Sequence, residues 1–317
     1  MAAPKSQLGK QQEQLAWMLL APTILIMLIV AAWPLYKAVS ISFTNERLGK
    51  PGQSEYVGLE NYTKILLPKF DDDGSISRKS NGDIRWGDDD WWDSVSNTLW
   101  LTFISVILET VLGLGIALVL HSKFKGRGFL RTAVLVPWAV PTVVSARMWA
   151  WMYNDVFGVY NDMLLRLGVI DSPIAWLANK QTALAAIIAM EVWKTTPFMA
   201  LLLLAGLQII PGDIYEAADI DGASKIQQFF SITLPLVRPA IFVALIFRTL
   251  DALRIFDAIK VMTNGGSGTE TMATLAYKNL FDFQKLGYGS AMSVVIFFII
   301  TIFVVSYVTT FDIQETA

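Results

Sequence analysis

The sequence predicts an all-α membrane protein with six transmembrane helices. Of its 317 residues, 54% are hydrophobic and only 16% are charged, whereas soluble domains carry about 25% charged residues. The hydrophobic residues lie in long runs, each close to the length of about 20 residues that crosses a bilayer as a helix. A helix satisfies its own backbone groups in lipid, and the alternation typical of transmembrane β-strands is absent from these runs.

The six runs belong to one predicted domain, residues 1–317. The expected spans are residues 14–43, 95–120, 130–153, 181–210, 239–262 and 287–311. The third span contains Pro137 and Pro141, which predict a kink. An insertion at residues 44–94 separates the first two spans, and a loop at residues 211–238 separates the fourth from the fifth.

The orientation follows from the charges of the short loops. Four bases and no acid lie from the end of the second span to the start of the third, at Lys123, Lys125, Arg127 and Arg131. Positive loops stay in the cytoplasm, so we expect this loop and both termini inside and the insertion outside. The loop at 211–238 should then also be cytoplasmic, although it is acidic.

Composition excludes several classes of function. The chain has no Cys and a single His, His121, which excludes thiolate and His-cluster metal sites, so no metal site is predicted. The net charge of -2 argues against binding of nucleic acid. No G-x-x-x-x-G-K-[ST] motif occurs, so the chain has no P-loop of its own for a nucleotide.

The acidic loop has the pattern of a compact helical elbow. Pro211 and Gly212 end the fourth span, and Asp213 is predicted as the N-cap of a short helix with Glu216 in a capping box. Gly222 can end this helix in a left-handed conformation. A second helical stretch should run to residue 233 and end before Pro235.

This loop also carries a recognisable signature. Glu216-Ala217-Ala218, then Gly222, then Ile232-x-Leu234-Pro235 has the spacing E-A-A-x3-G-x9-I-x-L-P. The segment resembles the signature of permease subunits of binding-protein-dependent ABC importers. Its residues are most similar to those of the carbohydrate-uptake branch of that family, the maltose and trehalose type. The resemblance implies the type I permease fold and a location in a bacterial or archaeal cell membrane.

The resemblance also implies partners and a role for the elbow. A second, homologous permease, two ATPase subunits, an extracytoplasmic sugar-binding protein and membrane lipid would complete the importer. ATP and Mg would bind to the ATPase, so this chain would be a transport subunit without a cofactor and not an enzyme. Its substrate would be a sugar, a disaccharide or oligosaccharide such as trehalose or maltose, which it moves into the cytoplasm. The residues expected to couple to the ATPase are Glu216, Ala217, Ala218, Asp221 and Gly222.

Two charged faces inside the membrane are candidates for sugar contact. Glu191, Lys194, Thr195 and Phe198 follow the spacing i, i+3, i+4, i+7, and so do Arg248, Asp251, Ala252 and Ile255, so each set lies on one helix face. Carboxylates accept hydrogen bonds from hydroxyls, while Arg and Lys donate to sugar oxygens. In carbohydrate permeases, which this chain resembles, substrate contacts lie in these two windows.

Alternatives remain open at this point. The same charges could be ion pairs between helices, and Arg254 and Asp257, which extend the second face into a charged ladder, are expected to be structural. Glu109, the one charge of the second span, fits a cavity or a packing contact equally well. A proton-coupled secondary sugar transporter would also place carboxylates here, but internal repeats typical of that class are not apparent.

Overall fold

The computed structural model describes residues 7–50, 54–71, 74–79 and 82–310. In these ranges the chain is helical apart from turns and isolated β-bridges. Three π-helical turns interrupt or extend the α-helices, at Leu28–Ala32, Phe229–Thr233 and Lys278–Asp282. The α-helices, in chain order, are α1 Gln7–Met27, α2 Trp33–Ser42, α3 Glu60–Leu66, α4 Asp89–His121, α5 Arg127–Ala139, α6 Thr142–Met152, α7 Val159–Arg166, α8 Lys180–Ile209, α9 Gly212–Ile220, α10 Lys225–Gln228, α11 Leu234–Ala252, α12 Asp257–Met262, α13 Met272–Tyr277 and α14 Leu286–Thr310.

The described residues contain five helices long and apolar enough to cross a membrane, and a sixth span if a bent pair counts as one. The five are Glu13–Ser42, Asp89–His121, Lys180–Ile209, Lys225–Ala252 and Leu286–Thr310. The bent pair is α5 and α6, which meet at an angle of 87° in the third predicted span. The break lies at Pro141, one of the two prolines that predicted a kink, whereas Pro137 lies inside α5.

The fifth helix differs from the sequence-based prediction at both ends. It begins at Lys225 rather than near Pro239, because a π-helical turn at Phe229–Thr233 leads directly into α11. Pro235 lies at the start of α11, directly after the π-helical turn, and the helix continues through it. The predicted break before Pro235 is therefore wrong. The helix also ends at Ala252, and a turn separates it from α12.

Close packing of α4, α8 and α11 forms the centre of the molecule. The apolar cluster between them includes Leu120, Met199, Leu203 and Val237. Gly206 allows a close approach of α8 to α11, because a Cβ at this position would lie 2.3 Å from the Cβ of Ala240. Further along the same pair of helices, Arg248 of α11 contacts Glu191 of α8.

The first long helix packs mainly through its C-terminal part. α2 lies against α14, while apolar side chains of α1 such as Trp17 and Leu25 are about 60% exposed. Such a surface fits contact with membrane lipid.

The insertion between the first two spans folds into α3 and a small set of hairpins. Isolated bridges join Pro68 to Trp86, Phe70 to Ile76, and Arg78 to Ile84. The backbone of residue 69 pairs with both residue 77 and residue 85, so the three short segments close on one another. The described part of the insertion contacts the start of α4 through Lys79 and Trp86, which lie against Asp89 and Trp92.

Candidate functional site

Arg248 is the hub of a buried ionic network. Its side chain, only 1% exposed, lies in the last turns of α11 and contacts carboxylates from two other helices. Nε and Nη2 both donate to the carboxylate of Glu109 on α4, the second at 3.0 Å. Nη2 also donates to Oε1 of Glu191 on α8 at 3.0 Å. One guanidinium therefore joins the three central helices.

Thr195 completes the environment of Glu109. Its hydroxyl donates to Oε1 of Glu109 at 2.7 Å and lies 2.6 Å from the backbone carbonyl of Glu191, one turn earlier on α8. Glu109 is fully buried and Glu191 is 6% exposed. Burial of a carboxylate is tolerated when a cation and hydrogen-bond donors surround it, and this network meets that condition.

Asp251 occupies the accessible edge of the network. Nη1 of Arg248 donates to its Oδ2 at 2.7 Å, yet its side chain is 63% exposed. The contact fixes one carboxylate oxygen and leaves the carboxylate open to hydroxyl donors outside the helix bundle. Of the three described carboxylates that contact Arg248, Asp251 is the one with a large accessible surface.

Lys194 and Phe198 lie apart from this network, although both share a helix face with Glu191. Nζ of Lys194 donates to the carbonyl oxygen of Val140 at 2.8 Å, at the break between α5 and α6. The ring of Phe198 stacks on Trp138, with centroids 5.9 Å apart and planes 15° apart. Trp138 and the Val140 carbonyl were not anticipated, because no local pattern relates them to α8.

The remaining predicted sugar contacts, Ala252 and Ile255, lie at and just beyond the end of α11. Ala252 and Ile255 are buried, and Ile255 belongs to an apolar cluster with Met190 and Ile259. The predicted four-charge ladder on one helix is wrong, because α11 ends at Ala252. Beyond this end, Arg254 is exposed and reaches Asp251 only at 4.0 Å.

A second charged region, the elbow of residues 211–233, connects α8 to α11. Gly222 has φ +75°, which confirms the predicted left-handed turn after α9. The predicted N-cap is wrong: Pro211 occupies that position without a side-chain bond, and Asp213 lies in the first turn. A capping box occurs instead at the start of α10, between Ser224 and Gln227.

Side-chain contacts hold the two short helices of the elbow together. Nζ of Lys225 lies 2.7 Å from Oδ1 of Asp219, which also accepts from the amide of Gln228 at 2.5 Å. The hydrogen bond from Lys225 lowers the pKa of Asp219 below its usual value. Tyr215 and Thr233 hydroxyls lie 2.9 Å apart and tie α9 to the following turn.

The outward surface of the elbow combines acids and apolar side chains. Ala218 faces inward and is buried, whereas the other predicted coupling residues, Glu216, Ala217, Asp221 and Gly222, are exposed. Ile220 is 86%, Ile226 72% and Phe230 61% exposed. Large apolar side chains at this exposure, among acids, are typical of a surface that contacts another protein.

No group of three or more His, Cys, Asp or Glu suited to a metal ion occurs within the described parts of the chain. The carboxylates of the central network are engaged by Arg248 and Thr195, which is the chemistry of an ion pair rather than of a metal centre.

The segment that holds both charged regions matches a known family. Residues 109–313 match the model described as "Binding-protein-dependent transport system inner membrane component". This chain belongs to that family. The matched segment begins at Glu109 and includes the elbow, Glu191 and Arg248, so the permease signature and the ionic network lie in the same family domain.

Curated relatives narrow the class of transporter. The chain is 43% identical over 304 residues to a trehalose/maltose transport system permease protein of Thermococcus litoralis, with 95% of each chain covered. It is 40% identical over 286 residues to the trehalose transport system permease protein of Mycobacterium tuberculosis, covering 90% of this chain and 85% of the relative. It is 41% identical over 285 residues to the sulfoquinovosyl glycerol transport system permease protein of Agrobacterium fabrum, covering 89% and 85%. The chain is a permease of a sugar ABC importer, and a secondary transporter is not favoured.

A solved structure confirms the fold. A chain of a bacterial ABC transporter involved in the import of the acidic polysaccharide alginate superposes with a TM-score of 0.78 at 21% identity, covering 96% of this chain and 98% of that chain. The predicted all-α membrane fold of an ABC importer permease is therefore confirmed.

Proposed function

We propose that this chain translocates a neutral disaccharide of the trehalose or maltose type, and that Asp251 contacts the sugar. The exposed carboxylate of Asp251, held by the buried Arg248, carries the proposal. A carboxylate accepts hydrogen bonds from neighbouring hydroxyl groups, and a preorganised acceptor loses little conformational entropy on binding. The trehalose permeases among the relatives support this class of sugar.

Phe198, which lies apart from the Arg248 network, would supply an apolar face to the same sugar. It lies seven residues after Glu191 on the same face of α8, about 10 Å along the helix axis, and its ring is only partly buried. An aromatic ring suits the apolar C–H face of a sugar. Of the other predicted residues, Arg248 holds Asp251 directly. Glu191 holds Arg248 in turn, and Thr195 holds Glu109. Ala252 and Ile255 are buried.

The elbow would connect sugar movement to ATP hydrolysis. Its exposed apolar residues Ile220, Ile226 and Phe230 and its acids Glu216 and Asp221 suit a cleft in a separate ATPase subunit. Two such ATPases would bind ATP and Mg, which fits the absence of a P-loop motif from this sequence. A second permease and an extracytoplasmic sugar-binding protein would complete the importer; a periplasmic protein bound to alginate pentasaccharide is part of a related solved complex.

The elbow and the basic loop at residues 122–131 would then lie in the cytoplasm with both termini. The insertion at residues 44–94 would lie on the outer side of the cell membrane, where the binding protein delivers the sugar. This arrangement follows the distribution of Lys and Arg among the short loops.

Uptake by the whole importer tests the proposal. The two permeases and two ATPases are reconstituted in proteoliposomes with the binding protein, and uptake of labelled trehalose, maltose and a monosaccharide is measured. We expect disaccharide uptake that requires both ATP and the binding protein and that persists when the proton gradient is collapsed. Disaccharide uptake driven by a proton gradient without ATP would contradict the proposal.

A further inference from the structure

The 87° bend between α5 and α6 leaves carbonyl groups at the end of α5 in need of a partner. Pro141 has no backbone N–H, and it forces Val140 out of the helical conformation, to φ -73° and ψ 131°. The last carbonyl groups of α5 therefore have no helical donors ahead of them. Inside a bilayer, where water is scarce, such groups are costly unless another part of the protein donates to them.

Lys194 supplies that donor from a different helix. Its Nζ lies 2.8 Å from the carbonyl oxygen of Val140 and 3.5 Å from that of Trp138. The side chain is only 8% exposed, and α5 has no basic residue of its own in its last turn. The C-terminal end of a helix carries partial negative charge, so a cation is the favoured cap.

Two aromatic contacts hold the arms of the bend on either side of Lys194. Phe198, one turn after Lys194, stacks on Trp138 of α5 at 5.9 Å between ring centroids. Trp193, the residue before Lys194, contacts Trp149 of α6 at 5.6 Å. A single stretch of α8, residues 193–198, thus contacts both α5 and α6, and the ammonium group of Lys194 lies at the break between them.

We propose that Lys194 is a positioning residue that fixes the angle between α5 and α6, rather than a residue that contacts the sugar. Its ammonium group caps the C-terminal end of α5 from a different helix. This cap keeps Phe198 against Trp138 and Trp193 against Trp149. Loss of the positive charge leaves the carbonyls of Trp138 and Val140 without their donor, so the angle between α5 and α6 is no longer fixed. Only the transport readout below rests on the proposed function; the geometry of the bend does not.

Distance measurements across the bend test this assignment directly. The chain contains no Cys, so a Phe129→Cys, Trp151→Cys pair places one spin label on each arm, at side chains 81% and 61% exposed. Pulsed EPR on the assembled importer then compares the native Lys194 background with Lys194→Met, Lys194→Gln and Lys194→Arg. Lys180→Met, at the exposed first residue of α8, is the matched control.

We expect one narrow distance distribution for the native, Lys194→Arg and Lys180→Met complexes. Lys194→Met should broaden or shift the distribution, and Lys194→Gln, which retains a neutral and shorter donor, should fall between. Loss of a hydrogen bond to a charged group corresponds to roughly tenfold in an equilibrium. We therefore expect the maximal uptake rate of Lys194→Met to fall about tenfold with little change in KM.

Each contrary result has a distinct meaning. A native distribution in Lys194→Met, or in Lys194→Gln if Lys194→Met does not assemble, overturns the assignment. A large rise in sugar KM with an unchanged distribution also overturns it, because that result is expected of direct sugar contact. If the native complex transports no sugar but Lys194→Met still broadens the distribution, the proposed function fails and the positioning role stands.

Discussion

The buried network around Arg248 and the elbow around Asp219 carry similar charges but meet opposite environments. In the network, the side chains of Arg248 and Glu109 are 1% and 0% exposed. In the elbow, the ion pair of Lys225 and Asp219 is 77% and 53% exposed. The interior therefore requires each charge to find its partner within the chain, whereas the elbow leaves charges and apolar groups available to another subunit.

The difference in exposure implies that the charges of the network and those of the elbow have different roles. An exposed ion pair contributes on the order of 0–1 kcal/mol to stability, so the elbow contacts mainly fix the shape of a docking surface. When a buried cation is replaced by a neutral residue, its carboxylate partners are left without charge compensation. Substitutions in the network should therefore affect assembly, and substitutions in the elbow should affect coupling.

The largest effect is expected for Arg248→Met. The change leaves Glu109 and Glu191 buried without their cation, at a cost of about 3–5 kcal/mol. The yield of intact importer in size-exclusion chromatography and its Tm should both fall sharply. Arg254→Met is the matched control, because Arg254 lies just beyond α11 with a side chain 65% exposed, and it should assemble normally. Equal yields for the two variants would show that the network is not structural.

A smaller effect is expected for Gly222→Ala in the elbow. A Cβ at this position meets no atom within 4 Å, so the cost arises from φ +75° alone and amounts to about 1–2 kcal/mol. The altered turn should lower sugar uptake per ATP hydrolysed while the two permeases still assemble. Gly212→Ala, at the helical first residue of α9 and equally free of contacts, is the control. Native coupling in Gly222→Ala would argue against docking by the elbow.

The sequence predicts the long helices well because lipid imposes a simple requirement of length and polarity. The fifth helix was misplaced because Pro235 and Pro239 suggested a boundary, whereas the structure accommodates Pro235 in a first turn after a π-helical segment. The left-handed turn at Gly222 was predicted because few other residues adopt it. Asp213 fits a capping pattern, but α9 begins one residue before it.

Helical spacing grouped the charges of α8 and of α11 by helix face, but it did not identify the partner of each charge. The main partner of Arg248 is Glu109, 139 residues away in the sequence, and no local pattern indicates such a pair. Lys194 shares a face with Glu191, yet it binds carbonyls at a bend in another part of the chain. Charge and spacing alone therefore cannot separate a sugar contact from an ion pair or a helix cap.

Asp251→Asn tests most directly whether the membrane charges divide into a structural set and a sugar-facing carboxylate. The measurement is the concentration dependence of disaccharide uptake by the reconstituted importer, with complex yield determined in parallel. Asn keeps one oxygen acceptor but loses the charge, a change of about 1 kcal/mol, or roughly fivefold in affinity. We predict a normal yield of complex and a KM about fivefold higher. A normal yield with the native KM and maximal rate would remove Asp251 from the sugar site and contradict the account.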